Sequence, residues 1–117
     1  MKLNRKIFVL FFTSFLILGC TTSNKINSGT QAFQLKRYAT AIPLLEEEFN
    51  KAKDQKTKGE IALLLAESFD NQNKFEEAEI WYKTFRDNSL EPNAPLLFGK
   101  ALMRNEKYKE AKEVLEQ

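Results

Sequence analysis

At 117 residues the chain has room for one small domain. It contains no His and a single Cys, Cys20, which excludes metal sites built on those ligands, His-based triads, thiol nucleophiles after Cys20 and any disulfide within the chain. The formal net charge of +2 owes itself to Lys2, Arg5 and Lys6; from Cys20 onward 15 Lys or Arg face 16 Asp or Glu, so no basic field remains to draw in nucleic acid.

Those three cations open a targeting segment. After them, Ile7 to Leu18 forms an apolar run of twelve residues broken only by Thr13 and Ser14. A bilayer span needs about 20 residues, so the run fits a signal peptide over residues 1–19 instead. Its end, Leu16-Ile17-Leu18-Gly19-Cys20, resembles the lipobox of bacterial lipoproteins. The resemblance implies that small Gly19 fits the signal peptidase and that Cys20 becomes the lipidated first residue. The plainer alternative is an ordinary export signal with an incidental cysteine. Several acyl chains on Cys20 would anchor stably, because one chain alone is marginal and each buried CH2 adds about 0.8 kcal/mol. By the same resemblance, Thr21 is not the Asp that goes with inner-membrane retention. Thr22-Ser23-Asn24-Lys25 also lacks the acidic cluster that sends some lipoproteins to the cell surface. The expected location is the outer membrane, lipid-anchored and facing the periplasm, with polar residues 20–27 as a tether.

The helices follow from caps and breaks. The first is predicted from Ser28 to Leu35, with Lys36-Arg37 as the turn. The second, Tyr38 to Lys53, contains Pro43, whose missing N–H costs little if it lies near the first turn, where donors are orphaned anyway. Asp54 to Lys56 reads as a loop, and Thr57 with Glu60 as a capping box that starts a third helix ending near Asp70. Asn71-Gln72-Asn73 makes the next turn, with Asn73 as N-cap and Glu76 at the matching distance, before a helix from Lys74 to Asp87. Asn88 to Asn93 is a break reinforced by Pro92. Asn93 and Pro95 start a fifth helix that ends near Arg104, and a sixth runs from Glu106 or Lys107.

These helices repeat. Leu65-Ala66, Phe69, Phe75, Ala78 and Tyr82 recur one repeat further on as Phe98-Gly99, Leu102, Tyr108, Ala111 and Leu115, and one repeat earlier as Ser28-Gly29, Ala32, Tyr38, Ala41 and Leu45. The small residues let paired helices approach closely, and the aromatic three before each Ala fills space near the turn. The pattern resembles the tetratricopeptide repeat, with its period of about 34 residues. The resemblance implies an all-α solenoid of antiparallel helix hairpins, with repeats at about 28–54, 57–89 and 93–117. The first repeat has Ser28 where a large apolar residue is usual. The last helix is still periodic at Gln117, with Tyr108, Ala111, Val114 and Leu115 uncovered. Repeat arrays usually end in a capping helix with a polar outer face, so the expectation is the amino-terminal part of a longer array, with a short open array as the alternative.

Little in the chain predicts catalysis, and no cofactor is expected. Glu46-Glu47-Glu48 and Glu76-Glu77 read as solvated faces, and Gly29, Gly59 and Gly99 are too isolated for a phosphate loop. Trp81-Tyr82 reads as packing between helices. What remains is binding of a protein or peptide partner. By resemblance, the groove face carries Glu60, Leu63, Glu67 and Asp70 on the third helix and Leu96, Lys100 and Arg104 on the fifth. Lys100 and Arg104 are i, i+4 neighbours and suit a carboxylate, the plainer alternative being two ordinary exposed charges. Relatives that clamp the terminal carboxylate of chaperone tails need amide or basic groups where this chain has Thr30, Glu67 and Leu96; only Lys100 fits, so the chaperone-adaptor reading fails.

Lipobox, tether, first repeat and the Ala78 to Tyr82 stretch together resemble the amino-terminal part of larger envelope lipoproteins. In those, such repeats precede a propeller and a domain similar to outer-membrane protein A, and some members serve type IX secretion. The alternatives are a small pilotin-like or outer-membrane assembly lipoprotein, and the interaction module of an enzyme whose catalytic domain lies beyond residue 117.

Overall fold

The structure, a computed structural model, describes residues 25–117; the signal peptide, the lipobox with Cys20 and the start of the tether lie outside the described residues. The described residues form α1 (Gly29–Gln34), α2 (Tyr38–Lys51), α3 (Gln55–Asn71), α4 (Phe75–Asn88), α5 (Ala94–Arg104) and α6 (Tyr108–Leu115), with no strand among them. Backbone packing joins consecutive helices, and α1 also touches α3. Three helix hairpins therefore stack in chain order, as expected of a solenoid.

The three hairpins close with one geometry. Lys36, Asn73 and Glu106 occupy the left-handed region, with φ of 55°, 58° and 61°. Their N–H groups donate to the carbonyls of Phe33, Asp70 and Met103 at 2.8, 3.0 and 3.1 Å. The next N–H groups, of Arg37, Lys74 and Lys107, reach back to Ala32, Phe69 and Leu102 at 2.9, 3.0 and 2.9 Å. This pair of bonds satisfies the carbonyls that a helix end leaves without partners. Asn73 thus closes α3 instead of capping α4, whose N-cap is Lys74 without a side-chain bond. Asn tolerates a left-handed backbone better than most residues, and the turn needs one there.

Two further boundaries differ from expectation. The start of α3 is capped by Asp54, whose carboxylate accepts the Thr57 N–H at 2.8 Å. Thr57 is therefore the third residue of the helix, Gln55 and Lys56 are helical, and Glu60 instead lies 4.0 Å from Lys56. Pro43 sits at the sixth position of α2, past the orphaned donors of the first turn. At the start of α1, Ser28 uses its hydroxyl to accept the Gln31 N–H at 3.1 Å, which explains a polar residue where the repeat elsewhere has Leu65 and Phe98. Glu48 is not a solvated carboxylate: half-buried, it accepts the Gly29 N–H at 2.7 Å.

The core runs continuously through the stack. Ala32, Ala41, Leu45, Leu65, Ala66, Ala78, Leu102 and Ala111 are almost entirely removed from solvent. Trp81 meets Phe49 edge to face at 5.0 Å between centroids, bridging the first and second hairpins. Where helices come closest there is no room for a side chain. A Cβ on Gly29 would lie 2.5 Å from Leu45 Cγ and 2.8 Å from the Leu45 backbone nitrogen, whereas one on Gly99 would meet Leu115 Cδ2 at 2.6 Å. Leu115 is 43% exposed and can swing away; the Leu45 backbone cannot. Gly29→Ala is accordingly expected to destabilise by about 1–2 kcal/mol. Gly99→Ala should be neutral or stabilising, because Ala gains about 1 kcal/mol of helix propensity over Gly. Urea unfolding of the two variants checks the contrast.

Candidate protein-binding surface

The surface in question lies on α3 and α5, the first helices of the second and third hairpins. Glu60 is exposed and Leu63, Glu67 and Asp70 are half-buried on α3; Leu96, Lys100 and Arg104 are exposed on α5. The structure does not gather these seven residues into one pocket. Glu60 and Leu63 line a cleft of about 680 Å³ together with Phe85, Asn88, Leu90 and Asn93, where the start of α3 meets the end of α4 and the link to α5. Leu90 stands fully exposed at its rim.

Asp70 and Arg104 are brought together with each other. The Asp70 carboxylate holds the Arg104 guanidinium, which also lies 5.5 Å from the centre of the Phe75 ring. Arg104 is therefore engaged inside the array. Lys100 makes no ion pair among the described residues, and Leu96 beside it is uncovered.

The Asp70–Arg104 pair belongs to a polar stitch between the second and third hairpins that sequence reasoning missed. Asn105 donates to the Phe75 carbonyl at 2.9 Å and to Glu79 Oε2 at 2.5 Å. Lys107 Nζ lies 2.7 Å from Glu79 Oε1, and that hydrogen bond holds the ammonium above its ordinary pKa. Arg86 adds a cation-π contact 4.5 Å from the centre of Phe98. The weak signal in the sequence was the run Arg104-Asn105-Glu106-Lys107 at the third turn, which follows the acids Asp70 and Glu79 of the preceding hairpin by about one repeat.

Glu67 and Tyr82 are both shifted by burial. Burial raises the Glu67 carboxyl, and burial together with the Glu67 charge pushes the Tyr82 phenol up to about 12 from its ordinary 10.0. Both shifts favour the neutral form in the folded chain. Between pH 10 and about 12 the unfolded phenol loses its proton while the folded one keeps it. Stability should therefore fall as pH rises through that window, on the order of 1.4 kcal/mol per pH unit, and Tyr82→Phe should remove this part of the alkaline loss. The same sign applies to Glu67: its contribution is present below the ordinary carboxylate range and lost above it, so Glu67→Gln should stabilise at neutral pH and do nothing in acid. Thermal melts across pH read both.

Among the described residues no group of three or more His, Cys, Asp or Glu side chains is placed to hold a metal ion, and no helix is long and apolar enough to cross a membrane. Three stacked hairpins closed by one turn geometry, with small residues at the crossings, define a tetratricopeptide-like helical repeat solenoid, a class that serves as a protein–protein interaction module and is generally a non-catalytic scaffold. The chain belongs to the family described as anaphase-promoting complex, cyclosome, subunit 3, whose model matches residues 34–117. Comparison with curated proteins gave no match, and neither did comparison with solved structures.

Proposed function

We propose that this chain is a lipid-anchored scaffold on the periplasmic side of the outer membrane, docking an envelope protein on the α3–α5 surface. The observation that carries the docking surface is the uncovered pair Leu96 and Lys100 one turn apart on α5, while Arg104, a turn further on, is neutralised by Asp70. An exposed leucine with one unspent cation suits a peptide that presents an apolar side chain and a carboxylate. The anchor rests on Leu16-Ile17-Leu18-Gly19-Cys20. The narrower setting, the amino-terminal module of a larger lipoprotein of the OmpA-like, type IX secretion kind, rests on resemblance of the first repeats. The family's name points to a subunit of the anaphase-promoting complex; the repeat architecture alone carries over from that family to this chain.

In bacterial cells, Cys20→Ala is expected to move the full chain from the membrane to the soluble fraction; unchanged retention would overturn the anchor. Lys100→Glu, which leaves the Asp70–Arg104 pair intact, should lower capture of an envelope partner in a pull-down roughly tenfold, which corresponds to about 1.4 kcal/mol. Equal capture by the variant would remove Lys100 from the surface.

A further inference from the structure

The solenoid begins earlier than α1. Ile26 packs against the core cluster and the Asn27 N–H donates to Gln31 Oε1 at 2.9 Å, so the chain is already fixed there. The tether is therefore shorter than residues 20–27: Cys20 and Ile26 lie six residues apart, which spans at most about 22 Å. From this point α1 leads away and α2 returns, as the 2.7 Å bond from the Gly29 N–H to Glu48 Oε1 shows, and α3 starts just beyond at Gln55. The link from α2 to α3 thus shares a corner with the end of the tether. Residues 50–58 of that link hold four Lys against one Asp. Nearby acids are turned inward: Glu48 accepts the Gly29 N–H, and Asp54 accepts the Thr57 N–H at 2.8 Å. Lys25 and Lys53 are exposed and make no ion pair among the described residues. Lys51 and Lys56 have only Glu47 and Glu60 one turn away on their own helices, with lysine side chains 73% and 86% exposed. Ion pairs so open to water hold a lysine weakly.

Tether length and charge together choose what this corner meets. An anionic surface acts on a cation only within about a Debye length, about 8 Å at physiological ionic strength. A free chain visits that layer rarely, whereas an acyl group on Cys20 holds the corner beside it at high effective concentration. An acidic protein would have to be captured from solution by the same lysines; the lipid is covalently held next to them. The rest of the array favours the same orientation. Residues 59–99 carry eight Asp or Glu against three Lys or Arg, so an anionic leaflet repels the second hairpin while it attracts the corner. Resting on the Cys20 anchor, we propose that Lys25, Lys51, Lys53 and Lys56 seat the first hairpin on anionic phospholipid headgroups and hold the acidic second hairpin off the membrane.

The test uses the acylated chain purified from bacterial membranes and placed in vesicles of phosphatidylcholine alone or mixed with phosphatidylglycerol. Lysine acetylation by a membrane-impermeant ester is then read residue by residue by mass spectrometry. Lys25, Lys51, Lys53 and Lys56 should label several-fold more slowly on the anionic vesicles, and high salt should abolish the difference. Lys36 at the far turn of the hairpin, Lys83 on α4 and Lys109 on α6 are exposed and should label alike on both. Lys53→Glu combined with Lys56→Glu should remove the protection of Lys25 and leave the helical circular dichroism unchanged. Equal labelling of the corner lysines on the two vesicles, with Cys20 acylated, overturns the seat alone, as does protection of Lys36 or Lys83 in their place. A chain whose Cys20 carries no acyl group by mass overturns the anchor, and the seat with it.

Discussion

Leu65→Ala is expected to lower the stability of the array by about 2–5 kcal/mol, the cost of lost transfer free energy plus the cavity left behind. Leu65 has no exposed surface and lies in the middle hairpin, in the same buried cluster as Ala41, Ala66, Ala78 and Tyr82. Helices on both sides bear on that cluster, so little can collapse into the void. In a stack held by nearest-neighbour interfaces, loosening the central hairpin weakens both interfaces at once. Leu115→Ala removes the same atoms at a position that is 43% exposed on the last helix, and should cost well under half as much. Urea unfolding followed by far-ultraviolet circular dichroism measures both. Equal losses would mean that the hairpins unfold independently and that the central core does not couple them.

The contrast between those two leucines shows which part of the fold the sequence reveals. The recurring positions announced the buried face because burial between paired helices tolerates few side chains: Ala32, Ala41, Leu45, Leu65, Ala66, Phe69, Ala78, Tyr82, Phe98, Leu102 and Ala111 are all buried. Tyr108 holds the same register yet is 63% exposed, because register marks the face a residue lies on and not whether a neighbour covers it. The caps were read less well. Asn73 and Thr57 have good N-cap chemistry, but the turn before α4 needs a left-handed residue and Asp54 reaches the Thr57 N–H first. Local sequence offers several caps in a row, and only the backbone path selects among them.

The candidate surface could be assigned to two helices from the sequence, but the partners of its side chains could not. The resemblance to the tetratricopeptide repeat assigned Glu60, Leu63, Glu67 and Asp70 on α3 and Leu96, Lys100 and Arg104 on α5 to one groove face. Whether Arg104 is available to a ligand depends on Asp70 and Phe75, both on the preceding hairpin. Such a meeting depends on how two hairpins stack, which spacing within one helix does not encode. Lys100 and Arg104 looked equivalent as i, i+4 cations; the stack uses Arg104 to hold its second and third hairpins together and leaves Lys100 outside.

The same gap between local reading and helical register sets the outcome at Pro43. If it lay in the first turn, replacing it would change little. The structure places it sixth in α2, where an N–H would donate to the Ala39 carbonyl and where the ring crowds that carbonyl. The N-cap bond from the Ala41 N–H to the Arg37 carbonyl, at 2.9 Å, shows that the ladder has already begun before Pro43. A proline in a helix interior is about 3 kcal/mol worse than Ala. Two effects reduce the gain from removing it: Ala39 is exposed, so water satisfies its carbonyl, and Pro restricts the unfolded chain by about 0.4–1 kcal/mol. Pro43→Ala is therefore expected to stabilise by about 2 kcal/mol, which raises the midpoint of a domain this size by roughly 8–16 °C. Pro43 is exposed, so the substitution leaves the core untouched and the gain isolates the backbone. An unchanged melting midpoint would place Pro43 where the first-turn reading put it, at a position whose missing N–H costs nothing.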